Sequence, residues 1–392
     1  MNTSRLRLGK LPIHILLIGL CVVWLVPTIG LLITSIRPVQ DVNTTGWWQA
    51  LEPPAGSAQF AQSCAGCHGS DGKALPNADL TNPELIGSFR RSIQLLATLR
   101  EEINGQPHMG DIPVPDDATA ATIATYLRRI SGLDARPIFT LSNYVDAMVG
   151  YRGTRTYAED CAAGTQGAEL NCNASDLANP RGMAQSFLNT LIVTIPATIL
   201  PIIFAAFAAY AMSWMHFRGR FWLFALLVGL QIVPLQMTLI PISKLYAQLG
   251  LNGTFVGIWL FHTGFGLPYA IYLTRNFLGA LPNELFEASY MDGANHWEVF
   301  WRIALPLSVP ALASLGIFQF LWIWNDLLVA LVFLGAQHPV LTYQISTLVS
   351  SLGAGWHLLT AAAFISMLLP MIVFFSMQRF FVRGLLAGSV KG

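Results

Sequence analysis

The hydrophobic positions of this chain are gathered into long apolar runs. A helix needs about 20 apolar residues to cross a bilayer. Six runs meet that length, at approximately 12–35, 186–212, 221–243, 254–274, 308–334 and 357–381. A long polar stretch separates the first run from the second. The pattern therefore predicts an all-α protein with six transmembrane helices and a large segment outside the membrane between the first two.

The first run could instead be a cleaved signal peptide. Its apolar stretch is long, however, and no Ala-x-Ala cleavage site follows it. We therefore interpret it as a membrane helix that stays in the mature protein.

Composition supports a membrane protein and sets the polar segment apart. Hydrophobic residues make up 54% of the chain and charged residues 11%, whereas a soluble domain carries about 25% charged residues. Residues 41–180 hold 16 of the 21 acids but only 9 of the 22 bases. A soluble, mildly acidic segment is thus embedded in an apolar chain. The net charge of +1 gives no indication of nucleic-acid binding.

Lysine and arginine near the ends of the spans predict the orientation, because cytoplasmic loops carry the excess of these residues. One side of the membrane has only Arg37, Arg181 and Lys244. The other side has Arg5, Arg7, Lys10, Arg218, Arg220, Arg275, Arg302, Arg379, Arg383 and Lys391. We expect both termini and the loop 275–307 in the cytoplasm, and the segment 36–185 outside it.

A polar loop between the fourth and fifth spans has the pattern of a helix, a turn and a second helix. Pro282 and Asn283 begin the first helix, and Glu284 and Glu287 suit the positive end of its dipole. Gly293 can take the left-handed conformation that turns the chain out of a helix. A second amphipathic helix is predicted by the spacing of Trp297, Phe300, Trp301 and Ala304, and Pro306 and Pro310 lie near the entry to the fifth span.

The segment Glu287 to Pro310, EASYMDGANHWEVFWRIALPLSVP, resembles the coupling loop of importer-type ABC permeases. The family pattern is met at Glu287, Ala288, Ser289, Asp292, Gly293, Ala294, Ile303, Leu305, Pro306 and Pro310. The resemblance implies that the loop 282–306 docks on a separate ATPase, with Glu287, Ala288, Asp292 and Gly293 at the contact. The alternative is an ordinary helical hairpin at the membrane surface.

Further segments resemble the carbohydrate-uptake class of these permeases, of the maltose or alpha-glucoside kind. They are GWW at 46–48, FTLSNY at 139–144, SFLNT at 186–190 and WND at 324–326. The resemblance implies a second permease subunit, an ATPase dimer and an extracytoplasmic sugar-binding protein as partners. The chain contains no GxxxxGK[ST] phosphate loop. ATP is therefore expected on the partner ATPase.

The permease pattern is interrupted between Pro54 and Arg136. We therefore expect four parts: the tail, first helix and start of the outer loop (1–53), an inserted domain (54–135), the rest of that loop (136–185) and a five-helix permease core (186–392).

Asn325 and Asp326 lie in the predicted fifth span, and Asp326 is the only acid within any predicted span. Ionisable groups in a membrane are costly and usually face a cavity or a partner. Two interpretations remain open: both side chains satisfy backbone groups where helices pack, or both line the substrate path.

The interrupting segment contains Cys64-Ala65-Gly66-Cys67-His68, the CxxCH signature of covalent c-type haem. Cys64 and Cys67 would form the thioethers, and His68 would ligate the iron. Met109 is the predicted sixth ligand, with the neighbouring His108 as its competitor. Helices predicted at 58–63 and 118–130 suit a small cytochrome c-like domain with one haem. A zinc site or a thioredoxin-like thiol pair is the alternative.

The remaining cysteines are assigned by their surroundings. Cys161 and Cys172 lie in the extracytoplasmic segment, where disulfides persist, and are predicted to pair, with two free thiols as the alternative. Cys21 lies in an apolar run and is interpreted as a small packing residue.

The resemblance thus implies a non-enzymatic inner-membrane subunit of an ABC importer for an oligosaccharide or glucoside, with an accessory haem domain. A rival hypothesis is a membrane-anchored c-type cytochrome that transfers electrons. A coupling loop disfavours the rival, since an anchor has no need of one. A third reading is a chimeric chain whose haem domain is idle.

Overall fold

The computed structural model describes residues 11–38, 42, 46–51, 56–75, 78–87, 92–100, 102–103, 106–108, 113–133, 139–150, 182–348 and 355–387. This part of the chain is helical apart from one short antiparallel strand pair, which confirms the predicted all-α class. The chain divides into two compact units. The first runs to Met148 and includes Leu348–Phe364, and the second contains Tyr157–Thr347 and Ile365–Gly392.

The first unit begins with one long apolar helix, followed by short helices and the strand pair. In chain order these are α1 (Leu11–Ser35), a 3-10 turn (Trp47–Ala50), α2 (Ser57–Ser63), α3 (Ala65–His68), α4 (Pro83–Ile86), α5 (Ser92–Arg100), β1 (Glu102–Ile103), β2 (Gln106–Pro107), α6 (Asp117–Ile130) and α7 (Ser142–Val149). The strands pair Glu102 with Pro107 and Ile103 with Gln106.

The short helices of the first unit enclose a hydrophobic core of their own. Asp116 begins α6, because its side chain accepts a hydrogen bond from the Thr119 backbone N–H at 2.8 Å. The ring of Phe60 on α2 lies 5.1 Å from that of Tyr126 on α6. The buried members of the core are Phe60, Leu80, Ile86, Leu95, Leu96, Leu99, Ala120, Ile123, Ala124 and Leu127. The helices predicted at 58–63 and 118–130 are both present.

The end of α1 is hydrogen-bonded to the segment 139–144. The Asn143 side-chain amide donates to the backbone carbonyls of Ser35 at 2.8 Å and Arg37 at 2.7 Å. The hydroxyl groups of Ser35 and Tyr144 lie 2.8 Å apart. Because Asn143 is buried, these bonds satisfy polar groups that would otherwise be costly. The two ends of the intervening polar segment therefore meet.

The second unit is a bundle of long helices with shorter ones between them. They are α8 (Ala184–Trp214), α9 (Arg220–Leu230), α10 (Leu235–Gln248), α11 (Phe255–Leu278), α12 (Asn283–Met291), α13 (His296–Val299), a π-helical turn (Phe300–Ala304), α14 (Leu305–Trp324), α15 (Leu328–Phe333), α16 (Leu341–Leu348) and α17 (Trp356–Ala387), whose first part belongs to the first unit.

Small side chains bring α8 and α11 close together. Ala205 of α8 is buried against Ala270 and Ile271 of α11, and Leu315 of α14 completes the same cluster. Small residues let membrane helices approach closely and gain dispersion contacts. The centre of the second unit is therefore formed by α8, α11 and α14.

The described residues contain five single helices long and apolar enough to span a membrane: Pro12–Ser35, Ala184–Trp214, Phe255–Leu278, His296–Trp324 and Trp356–Phe380. The predicted third span, 221–243, is not one straight helix. It is broken into α9 and α10, which meet at 100°. Pro234 explains the break, because it lacks a backbone N–H and disfavours the helical conformation of Val233.

The predicted fifth span, 308–334, is also displaced. The structure begins this helix at His296 and ends it at Trp324. Asn325 and Asp326 follow the helix end, and a short separate helix, α15, accounts for the remaining apolar residues. Apolar content alone did not reveal that these two residues interrupt the helix.

Candidate functional site

The loop between α11 and α14 has the predicted helix and glycine turn. Helix α12 begins after Pro282 and carries Glu284 in its first turn. Gly293 has a φ of +85°, the left-handed region. The backbone N–H groups of Gly293 and Ala294 donate to the carbonyls of Tyr290 at 3.0 Å and Ser289 at 3.1 Å. This is the bonding by which a glycine ends a helix.

The residues predicted at the ATPase contact share the exposed side of this loop. Glu287, Ala288, Asp292 and Gly293 are all exposed, and Met291 beside them is 87% exposed. Next to them lies a cleft of about 330 Å³, lined by Asp292, Gly293, Ala294, Glu298, Val299, Arg302 and Ile303. The loop therefore presents both a projecting helix end and a cleft.

The opposite side of α12 is held by an aromatic stack. Phe286 is fully buried, and its ring stacks on Trp214 of α8 with a centroid distance of 3.6 Å and an interplanar angle of 16°. Phe286 belongs to one buried cluster with Ala209, Leu278 and Phe300. The contact holds α12 against the C-terminal end of α8.

Three polar side chains join α8 to both sides of the Gly293 turn. The Tyr210 hydroxyl lies 3.2 Å from the Tyr290 hydroxyl and 3.2 Å from Nδ1 of His296. Tyr290 and His296 are themselves 3.1 Å apart. Sequence analysis did not find this cluster. Tyr290 and His296 flank Gly293 in sequence, but only the fold brings Tyr210 to them.

The predicted second helix is present after the glycine turn as α13, and it continues into the fifth span without a break. Asn295 begins α13 with a capping box: its side chain accepts from the Glu298 N–H at 3.0 Å, and Glu298 accepts from the Asn295 N–H at 3.1 Å. A π-helical turn, Phe300–Ala304, joins α13 to α14. Phe300 and Ala304 are buried, whereas Trp297 is 62% exposed and Trp301 45%.

Asn325 and Asp326 bond to backbone groups at the end of α14. The Asn325 side-chain amide donates to the Leu321 carbonyl at 2.8 Å. The Asp326 carboxylate accepts from the N–H groups of Val329 at 3.3 Å and Ala330 at 3.1 Å, at the start of α15. Asp326 also lies 3.9 Å from Nε2 of the buried His262. Both polar side chains thus cap helix ends.

The cysteine motif lies on one continuous helical turn of the first unit. Cys64 lies between α2 and α3, and Cys67 and His68 lie on α3. The His68 N–H donates to the Cys64 carbonyl at 2.9 Å, which keeps the three side chains within one turn. Cys64 is half-buried and Cys67 exposed. Burial, with the neighbouring Cys67, raises the pKa of Cys64 to about 11.

His68 and His108 are neighbours in this structure. Burial lowers the pKa of His68, the Ala78 backbone raises it, and the charge of His108 lowers it further. Nδ1 of each ring is buried, with no hydrogen-bond partner among the described residues. Cys64 and Cys67 are free thiols, as is Cys21. Two free thiols and a histidine on one helical turn match the donor set of a covalent haem.

A bare metal ion needs more ligands from the protein than a haem does. No group of three or more His, Cys, Asp or Glu side chains among the described residues is arranged to hold one. A haem supplies four of its own nitrogen ligands, so it needs only axial ligands from the protein. Met109, Cys161 and Cys172 lie outside the described residues. The sixth ligand and the disulfide therefore stay predictions.

Comparison with known proteins defines the class of the chain. Residues 186–386 match the family described as binding-protein-dependent transport system inner membrane component. The match covers α8 to α17 and includes the Gly293 loop. The chain belongs to this family. It is a multi-pass inner-membrane subunit of a transport system, not an enzyme.

Similarity to individual relatives extends along the whole chain. It is 42% identical over 401 residues to the alpha-glucoside transport system permease protein of Rhizobium meliloti, covering 100% of both chains. It is 40% identical over 384 residues to the osmoprotective compounds uptake permease protein of Synechocystis sp., covering 97% of this chain and 92% of the relative. A solved bacterial ABC transporter involved in alginate import is 24% identical, with a TM-score of 0.43, covering 61% of this chain and 89% of that one.

A second family matches within the first unit. Residues 52–127 match the family described as cytochrome C oxidase, cbb3-type, subunit III. The matched range contains the cysteine motif and most of α6. It begins two residues before the interval where the permease pattern is interrupted and ends inside it.

Proposed function

We propose that this chain is a membrane subunit of an ABC importer for a sugar, an oligosaccharide or a glucoside. Its loop 282–306 couples ATP hydrolysis on a separate ATPase to movement of the sugar. The full-length similarity to an alpha-glucoside permease supports the substrate class. The observation that carries the coupling role is the contrast between the two sides of this loop. Glu287, Ala288, Asp292 and Gly293 are exposed, whereas Phe286 is buried against Trp214.

The partners follow from the same proposal. A second permease subunit completes the pathway through the membrane, an ATPase dimer binds the loop, and an extracytoplasmic binding protein delivers the sugar. Both termini and the loop lie in the cytoplasm, which the distribution of lysine and arginine supports. The similarity to permeases that depend on binding proteins supports this set of partners.

The loop suits the transfer of motion because one side is free and the other is packed. The carboxylates of Glu287 and Asp292 are exposed and available to donors on a partner. Phe286 is buried against Trp214, so α12 has little freedom to tilt independently of α8. Closure of the ATPase dimer against the exposed side therefore moves the inner ends of the membrane helices together.

Gly293→Ala tests the coupling proposal. A Cβ at Gly293 would meet no described atom within 4 Å, so the substitution acts through the backbone alone. A residue with a side chain pays about 1–2 kcal/mol in the left-handed region, a factor of about 5–30 in a two-state population. ATP-dependent uptake of labelled maltose or sucrose should fall by about tenfold. Haem reduction should be unchanged.

Two control variants test whether the left-handed backbone conformation at Gly293 is the cause of the lost uptake. Gly293→Asn should keep most uptake, because asparagine enters the left-handed region more readily than alanine. Gly264→Ala, at an exposed helical glycine with equally open space, should keep all of it. Unchanged uptake in Gly293→Ala, together with loss of a respiratory activity, would instead favour the membrane-anchored cytochrome.

For Asn325 and Asp326 we propose the capping role. Their side chains already bond the backbone at the end of α14 and the start of α15. Lining the substrate path would require them to give up these bonds. In a low-dielectric region, an unpaired backbone group costs about 1–3 kcal/mol.

We also propose that residues 54–135 form an accessory domain that binds one covalent haem c. Cys64 and Cys67 hold it through thioethers, His68 is the proximal ligand, and Met109 is the sixth ligand. The two free thiols and the position of His68 on the same helical turn support the proximal side. The similarity of residues 52–127 to a cytochrome family supports the domain. When bound, the haem supplies a one-electron redox site outside the cytoplasm.

Haem staining after denaturing electrophoresis tests covalent attachment in cells that carry the c-type attachment machinery. The wild-type chain should stain, and the Cys64→Ser/Cys67→Ser variant should not. Cys21→Ser, at a thiol on α1, should stain as strongly as wild type. An unstained wild-type chain would exclude the cofactor.

Spectroscopy then tests the sixth ligand. Met109→Ala should lose the absorbance band of a sulfur–iron bond, and His108→Ala should keep it. Persistence of that band in Met109→Ala would overturn the assignment. A wild-type spectrum without it, altered by His108→Ala, would favour the histidine.

A further inference from the structure

Tyr210, Tyr290 and His296 form a polar cluster between the second span and the loop, and none of the three is among the predicted contact residues. Tyr290 is half-buried and His296 is exposed. Tyr210 is 4% exposed. Its hydroxyl lies 3.2 Å from each of the other two polar groups. The partners are 80 and 86 residues away in sequence. Tyr210 is on the second span, and the other two are on the loop.

The two loop residues of this contact, Tyr290 and His296, come from different helices. Tyr290 lies on α12, before the Gly293 turn, and His296 begins α13, after it. Tyr210 therefore contacts both halves of the loop with one hydroxyl group. A phenol buried here without partners would be costly, so the three groups favour one relative position of the two halves.

Aromatic packing fixes the same face of α8 at two neighbouring turns. The ring of Tyr210 meets the Phe300 ring edge-on at 5.4 Å. One turn further along α8, Trp214 stacks on Phe286. Residues four apart lie on one face of a helix. The inner end of α8 is thus held against α12 at one level and against α13 and the π-helical turn at the other.

We propose that Tyr210 is a positioning residue for coupling: it holds both halves of the loop to the second span, so that α8 moves with the loop during transport. This inference rests on the proposed coupling function. Without the Tyr210 hydroxyl, Tyr290 and His296 still bond to each other, and the loop keeps its own fold. The polar link from α8 to both halves of the loop is then lost, while the ring contacts with Phe286 and Phe300 and the docking side are unchanged.

Tyr210→Phe in the reconstituted complex, with the partner permease, the ATPase and the binding protein, tests the proposal. The measured quantity is the number of ATP molecules hydrolysed per labelled sucrose or maltose taken up. A hydrogen bond to a neutral group contributes a factor of about five in an equilibrium. The ratio should rise about fivefold, with normal amounts of ATPase bound to the permease.

Variants of two other tyrosines should raise the ratio of ATP hydrolysed to sugar taken up less than Tyr210→Phe does. Tyr290→Phe leaves the contact between Tyr210 and His296, so its ratio should rise less than that of Tyr210→Phe. Tyr269→Phe removes a hydroxyl from a 42% exposed tyrosine of α11 and should leave the ratio at the wild-type value.

Each outcome decides the proposal. A wild-type ratio in Tyr210→Phe overturns it. A parallel fall of uptake and bound ATPase at a constant ratio also overturns it, since that result shows only a structural role. If the wild-type complex itself takes up no sugar, the proposed coupling function fails, and this failure is recognised before any variant is measured.

Discussion

At the scale of single residues, the loop depends on one fully buried aromatic side chain. Phe286 lies between exposed neighbours: Leu285 is 42% exposed and Glu287 is exposed. Its ring stacks on Trp214 at 3.6 Å. Through this ring the otherwise exposed helix α12 packs on the bundle. Its removal should therefore loosen the loop without changing the contact residues.

Phe286→Ala should lower stability by about 3–5 kcal/mol, the typical cost of removing a buried phenylalanine ring. Thermal unfolding of the purified complex measures this. Leu285→Ala, one residue away and partly exposed, should stay within about 0.5 kcal/mol of wild type. Equal effects of the two substitutions would show that the stack with Trp214 does not hold α12.

The sequence predicts residues whose chemistry is local and misses those whose partners are distant. Gly293 is recognisable because a helix end needs a left-handed residue, and its φ of +85° confirms this. The cysteines and His68 are recognisable by their spacing. Tyr210 has no such signal, since its partners are 80 and 86 residues away. Sequence reading also could not tell whether Asp326 caps a helix or faces a pathway.

At the scale of elements, apolar length predicts which segments enter the membrane but not where a helix ends. The third span is broken at Pro234 into two helices at 100°. The fifth is displaced because α13, the π-helical turn and α14 form one continuous span from His296. In both cases local backbone hydrogen bonding determines where the helix begins or ends. Pro234 removes a donor in the third span, and the Asn295–Glu298 capping box starts the fifth-span helix early.

The fifth span continues from the loop without a break, since α13, the π-helical turn and α14 are contiguous. Under the proposed coupling function, a force on the loop therefore reaches α14 directly. The π-helical turn Phe300–Ala304 is the one irregular step in this path among the described residues. Such turns are rare and frequently occur at functional sites.

At the scale of the whole molecule, the chain combines a permease with a segment of different character. The contacts of Asn143 and Tyr144 with the end of α1 bring the ends of that segment together. The end of α1 and the segment 139–144 are therefore adjacent, although Ser35 and Tyr144 are 109 residues apart in sequence. The charge count predicts that this segment is soluble, and its short helices have a core of their own.

The central claim is that this chain moves a sugar with another subunit's ATP, and transport into proteoliposomes tests it most directly. The chain, its partner permease and the ATPase are reconstituted with ATP on the loop side and the binding protein on the other. Labelled maltose or sucrose should accumulate on the ATP side only when ATP and the binding protein are both present. Accumulation without ATP, or none in a complex that still hydrolyses ATP and carries a reducible haem, would contradict the account.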